Sequence, residues 1–135
     1  MKNPKKINIA LVDDDSDEKF IFQIALNEIN IDYSFQYFST PQDFLDSLKN
    51  SKKNHPDIVF IDMHMPLKNG LELVQEMRKN ISFDQIKSVI YSNSVSEVVI
   101  QAFKSLGTSD FIIKPPELSE MKAVLKRLIE DFVKV

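Results

Sequence analysis

The sequence predicts an α/β fold, a five-stranded parallel sheet with helices on both faces, and three observations carry that reading. Five short apolar runs recur along the 135 residues, and each is followed by a longer segment whose apolar positions fall at helical spacing. The third and fourth runs are continuously apolar rather than alternating, and the first is interrupted only by Asn8, as in strands covered on both sides. Strict alternation of strand and helix then requires crossover connections, which are right-handed in parallel sheets.

The elements follow in order. Ile7 to Val12 is an apolar run closed by three acids, Asp13, Asp14 and Asp15. Ser16 to Ile29 carries Ile21, Phe22, Ala25, Leu26 and Ile29 on one helical stripe, which leaves Phe20 off it, and Asp15 is placed to cap the helix. Tyr33 to Phe38 is an aromatic-rich strand. Thr40 then offers a capping hydroxyl and Pro41 the first position of a helix through Phe44, Leu45 and Leu48. Ile58 to Ile61 is the third strand, ending at Asp62; a loop, Met65-Pro66-Leu67-Lys68-Asn69-Gly70, leads into a helix over Leu71–Lys79.

Val89 to Tyr91 forms the fourth strand. Ser94 and Glu97 have capping-box spacing for a helix carrying Val95, Val98, Val99, Ala102, Phe103 and Leu106, with Ile100 off its stripe. Gly107 stops that helix, Phe111 to Ile113 is the fifth strand, and a last helix runs from Glu117 to about Val133, burying Leu118, Met121, Leu125, Leu128 and Phe132.

Composition narrows the function. The chain has no Cys, which excludes thiolate metal sites and disulfides and suits a reducing compartment. A net charge of −3 with scattered basic residues speaks against a nucleic-acid face, and no apolar stretch is long enough to insert into a membrane or serve as a signal peptide. A cytoplasmic protein is expected. One domain is expected over residues 1–135, with no linker, repeat or output domain.

Ligands of such sheets bind beyond the carboxyl ends of the strands. There the sequence presents Asp13, Asp14 and Asp15 after the first strand, Asp62 after the third, Ser92 after the fourth and Lys114 after the fifth. Clustered carboxylates repel one another unless a cation sits among them, and a hard divalent ion such as Mg²⁺ takes one or two carboxylates plus phosphate oxygens. Lys114 and Ser92 suit the oxygens of a transferring phosphoryl group, and a carboxylate among them can act as the nucleophile. Each residue alone has a plainer explanation: a helix cap for Asp15, a strand end for Ser92, a solvated loop for Lys114 and His55. Four segments converging on one edge do not.

The segments LVDDD, IVFIDMHMPLKNG, VIYSNS and FIIKPP, with 30 residues from Asp62 to Ser92 and 22 from Ser92 to Lys114, resemble the receiver domains of two-component response regulators over nearly the whole chain. The resemblance implies a flavodoxin-like strand order 2-1-3-4-5 and a stand-alone, chemotaxis-type regulator. It makes Asp62 the phosphoacceptor and Asp14 the direct ligand of Mg²⁺ or Mn²⁺. Asp13 assists, and the His64 backbone carbonyl is a further ligand. It gives Ser92 and Lys114 the contacts to the phosphoryl group and Ser92 and Phe111 the switch. His64 and Ser94 stand at positions that govern phosphate lifetime, and the Lys114–Pro115 bond is expected to be cis.

The implied partners are a histidine kinase or histidine phosphotransfer protein upstream and a protein effector on the face made by the fourth helix, fifth strand and fifth helix. The sequence departs from the pattern at Phe111, which lacks the usual tyrosine hydroxyl, and at His64, where a ring follows the acceptor. Three other readings share the pattern: an unphosphorylated protein-binding module, an aspartyl-phosphate phosphatase, and a flavin-binding protein. His64 stands where a phosphatase needs a second acid, and DDDSD stands where a flavin protein needs a phosphate-cradling loop. In the reading adopted, the chain is a phosphoacceptor signalling protein rather than a turnover enzyme.

Overall fold

The computed structural model describes residues 6–50, 55–80, 83, 85–94, 96–107 and 110–133. The chain runs β1 (Ile7–Val12), α1 (Ser16–Asn27), β2 (Tyr33–Phe38), α2 (Pro41–Asn50), β3 (Ile58–Asp62), α3 (Gly70–Arg78), β4 (Lys87–Ser92), α4 (Glu97–Ser105), β5 (Asp110–Ile113) and α5 (Leu118–Val133). All strands pair in parallel in the order β2-β1-β3-β4-β5, the fold and strand order expected.

The continuous apolar runs are resolved by the pleat. Ile7, Ile9, Leu11, Ile58, Phe60, Val89 and Tyr91 face α1 and α5, while Ala10, Val12, Val59, Ile61 and Ile90 face α2, α3 and α4. Phe22 of α1 holds the first layer together, meeting Phe60 and Tyr91 edge-on with ring centroids 5.1 Å from each. Parallel pairing sets Val12 opposite Ile61, Asp62 opposite Tyr91 and Ser92 opposite Ile113, so the strands finish together along one edge.

Several caps follow the sequence. Asp15 caps α1 by accepting the Asp17 N–H at 3.0 Å, Thr40 Oγ1 accepts the Asp43 N–H at 3.0 Å, and Gly107 takes the left-handed φ of +78°. Others differ. α1 ends at Asn27 rather than Ile29, because the Glu28 and Ile29 N–H groups donate three residues back to Ala25 and Leu26 and tighten the last turn. β4 starts two residues earlier than expected and continues to Ser92.

α4 is capped by Ser96, whose Oγ accepts the Val99 N–H at 3.3 Å, and not by a Ser94–Glu97 box. The Ser94 carbonyl is instead engaged at the strand edge. Starting at Glu97, the helix turns Val98 outward and buries Phe103 alone, with Val99 and Leu106 packed at the margin; Val95 lies outside the described residues. In α5 the stripe toward the sheet is Met121, Leu125 and Ile129, at strict four-residue spacing. Leu118 is exposed, while Leu128 and Phe132 are half-buried. Phe20 is exposed as expected. No described peptide bond is cis, so Lys114–Pro115 is trans, contrary to expectation.

Gly70 positions the site. It is the first residue of α3, after Asn69, whose side chain forms a capping box with Glu72. Its N–H donates to the Met63 carbonyl at 3.0 Å, and a Cβ there would lie 2.8 Å from the Asp62 carbonyl oxygen and 3.0 Å from Met63 Cα. Both obstacles are backbone, so the strain cannot relax by a rotamer change. Gly70→Ala is expected to destabilise by about 2 kcal/mol, read as a lower urea midpoint with an unchanged m-value.

Candidate phosphoacceptor site

The strand ends deliver the acids. The chain leaves β1 at Val12 and must turn at once into α1, and Asp13 makes that turn by accepting the Asp15 N–H on Oδ1 at 2.9 Å. Its backbone is held by the Phe38 carbonyl, 3.1 Å from its N–H, and by the Tyr37 hydroxyl, which donates to its carbonyl at 2.6 Å. Asp13 is 1% exposed, whereas Asp14 is exposed to solvent. Asp62, the last residue of β3, is 8% exposed, and its Oδ1 accepts the His64 N–H at 3.3 Å. One carboxylate oxygen from each of Asp13, Asp14 and Asp62 lies within 4.8 Å of the others.

Lys114 follows β5, with its N–H donating to the Ser92 carbonyl at 2.8 Å. Its ammonium lies 3.5 Å from Asp13 Oδ2, 3.5 Å from Glu18 Oε1 and 4.0 Å from Asp62 Oδ1. Burial raises the Asp62 pKa to about 6. The Asp13 charge adds to the rise, while Lys114 and the His64 N–H oppose it.

Ser92 is fully buried, and its hydroxyl donates to the Ser94 carbonyl over a long 3.4 Å. The His64 ring reaches the same carbonyl, with Nε2 3.2 Å away. His64, Ser92 and Ser94 are thereby brought together on one acceptor. Phe111 is not in the carboxylate cluster. It lies one strand further out, pairing with Ile90 and meeting Phe103 of α4 edge-on at 5.3 Å.

Two participants escaped the sequence reading. The buried Tyr91 hydroxyl donates to Asp13 Oδ2 at 2.8 Å and lies 3.2 Å from Glu18 Oε2. Burial and these carboxylates push its pKa far up, so it remains a proton donor. The Lys114 ammonium sits 4.3 Å from the centre of its ring. The available signal was a tyrosine in an aliphatic strand, one residue from its carboxyl end, since a buried phenol needs a partner. Glu18 carried no such mark: one helical turn into α1, it reads as an ordinary first-turn acid.

The family model described as "Response regulator receiver domain" matches residues 9–126. The chain belongs to that family. The transcriptional regulatory protein MalR of Bacillus subtilis is 31% identical to this receiver over 120 residues, 88% of this chain and 48% of MalR. The cyclic di-GMP phosphodiesterase response regulator RpfG of Xanthomonas campestris is 26% identical over 124 residues, 92% of this chain and 32% of RpfG. The receiver therefore spans half or less of these curated relatives.

Among solved structures, the phosphorylated cyanobacterial phytochrome response regulator RcpA superposes with a TM-score of 0.85 at 22% identity, covering 96% of this chain and 95% of RcpA. The Mn²⁺-bound response regulator Rcp1 superposes with a TM-score of 0.83 at 19% identity, covering 96% of each chain. These likenesses establish the receiver fold. Among the described residues, no helix is long and apolar enough to cross a membrane.

Proposed function

We propose that this receiver accepts a phosphoryl group on Asp62 from the phosphohistidine of a histidine kinase or histidine phosphotransfer protein, in the cytoplasm. The supporting observation is the environment of Asp62: a buried carboxylate at a strand end, grouped with Asp13 and Asp14 and 4.0 Å from the Lys114 ammonium. An Asp62 carboxylate oxygen attacks phosphorus, the P–N bond breaks, and its electron pair returns to the imidazole, which is reprotonated from solvent. The product is an acyl phosphate.

The donor set is all oxygen, with exposed Asp14 open to ordered water, and this fits a hard divalent cation such as Mg²⁺ or Mn²⁺. Asp14, Asp62 and the His64 backbone carbonyl would hold it directly. Asp13 would assist, its two oxygens already engaged by Asp15 and Tyr91. When bound, the ion neutralises charge on the phosphoryl oxygens. Rcp1 is a Mn²⁺-bound response regulator and RcpA a phosphorylated one, which is consistent with this assignment.

Lys114 supplies the second cation to the new phosphoryl oxygens. The Ser92 hydroxyl, held now by one long bond, turns to donate to them. Phe111 follows into the space vacated, and the α4–β5–α5 face changes shape for an effector protein. His64 and Ser94, already joined across the cleft, set how readily water reaches the phosphorus. In this reading residues 1–135 act as one receiver whose output is a bound partner rather than a catalytic turnover.

The test is intact mass after incubation with acetyl phosphate, with and without Mg²⁺, for wild type and Asp62→Asn. One added phosphate is expected on the wild type with Mg²⁺ and none otherwise. Equal labelling of the variant would place the acceptor elsewhere.

A further inference from the structure

Lys114 lies closer to two other carboxylates than to the proposed acceptor. Its 4.0 Å separation from Asp62 Oδ1 is beyond hydrogen-bond range, while Asp13 and Glu18 each hold an oxygen 3.5 Å from it. Asp13 comes with the acidic pocket. Glu18 does not: it projects from α1, and its other oxygen is 3.2 Å from the Tyr91 hydroxyl that also binds Asp13. One phenol proton thus lies between two carboxylates, nearer Asp13 than Glu18, and the face of the same ring accepts the ammonium at 4.3 Å.

Resting on the assignment of Asp62 as acceptor, we propose that Glu18 is a positioning residue: with Tyr91 it holds the Lys114 ammonium in a reserve position, from which the lysine must be withdrawn when a phosphoryl group reaches Asp62. Glu18 is a rival anion for the Lys114 ammonium. It lies 3.5 Å from the Lys114 ammonium and 3.2 Å from the Tyr91 hydroxyl, and its side chain is 17% exposed. The reserve position keeps the buried Asp13 charge compensated before phosphorylation. Its cost is a slower delivery of Lys114 to the acceptor.

Glu18→Gln keeps the shape and removes the charge. Phosphorylation by acetyl phosphate at saturating Mg²⁺ is expected to quicken roughly fivefold, the scale of a partly exposed ion pair expressed as a rate. The change should vanish when the comparison is repeated in a Lys114→Ala background, because Glu18 acts through the lysine. Acceleration that persists without Lys114 would show simple repulsion of the anionic donor and overturn the proposal, as would an unchanged rate in a labelled wild type.

A second readout does not depend on phosphorylation. In the wild type the Lys114 ε-methylene protons should be shifted upfield by the Tyr91 ring current, and in Glu18→Gln at least half of that shift should be lost. An unaltered shift would sink the reserve position. If the wild type fails to label at Asp62, the acceptor assignment falls and the proton shift still decides where Glu18 holds the lysine.

Discussion

Asp62→Asn is expected to make the metal-free protein more stable at neutral pH, by on the order of 2–3 kcal/mol. The folded carboxyl titrates at about 6, against an ordinary value near 4. Each tenfold difference in proton affinity corresponds to about 1.4 kcal/mol between the two states. A raised folded value means that the native state binds the proton more tightly than the unfolded chain. Stability from this group is therefore full below about pH 4, is lost as pH rises through about 6, and stays lost above it. Asparagine has no charge to bury, so its advantage should appear at pH 7.5 and disappear near pH 4. Urea denaturation of both proteins at the two pH values, without divalent ions, measures it. An asparagine variant less stable than wild type at pH 7.5 would mean that the carboxylate is well solvated or fully neutralised.

Lys114→Ala should have the opposite sign. The ammonium is the counter-charge shared by Asp13, Glu18 and Asp62, and Asp13 is almost completely enclosed. Removing one partner leaves buried negative charge without compensation, which costs on the order of 3 kcal/mol. The variant should then gain more from added Mg²⁺ than the wild type, because the cation replaces a charge that the wild type already supplies. Binding to the native state alone stabilises by about 2.7 kcal/mol at a ligand concentration 100 times Kd. With the proposed role of Lys114, phosphorylation should nevertheless fall about 100-fold at saturating Mg²⁺, since its ammonium no longer reaches the phosphoryl oxygens. Thermal or urea unfolding with a Mg²⁺ titration checks the first part, and labelling rates check the second. A variant as stable as the wild type without metal would show that Lys114 does not hold the pocket together.

The strands were legible because a parallel sheet buried on both faces leaves largely apolar runs, and β1, β3, β4 and β5 end on or just before a residue that serves the edge. The grouping of Asp13, Asp14 and Asp62 followed from parallel strands that end along one edge, with Val12 paired to Ile61. Tyr91 and Glu18 were not legible, because their meeting depends on packing α1 against β4, 73 residues apart in sequence. The α4 cap was misplaced because Ser94 and Ser96 offer the same hydroxyl. Only the folded edge, where the Ser94 carbonyl meets His64 and Ser92, decides between them. Periodicity alone puts Leu118 in the core, but as the first residue of α5 it is exposed, and burial begins a turn later at Met121.

The helices differ in how firmly they are attached. α5 inserts Met121, Leu125 and Ile129, and Lys122 adds an ion pair to Glu28 just beyond α1. α4 inserts one side chain, Phe103. Local detachment of α4 therefore exposes Phe103 with the marginal Val99 and Leu106, a smaller apolar loss than releasing the three fully seated side chains of α5. An element held by fewer buried side chains opens locally more readily while the sheet stays intact. α4 is consequently the most loosely seated of the five helices, and an effector that contacts it, as proposed, would meet the part of the surface that is cheapest to remould.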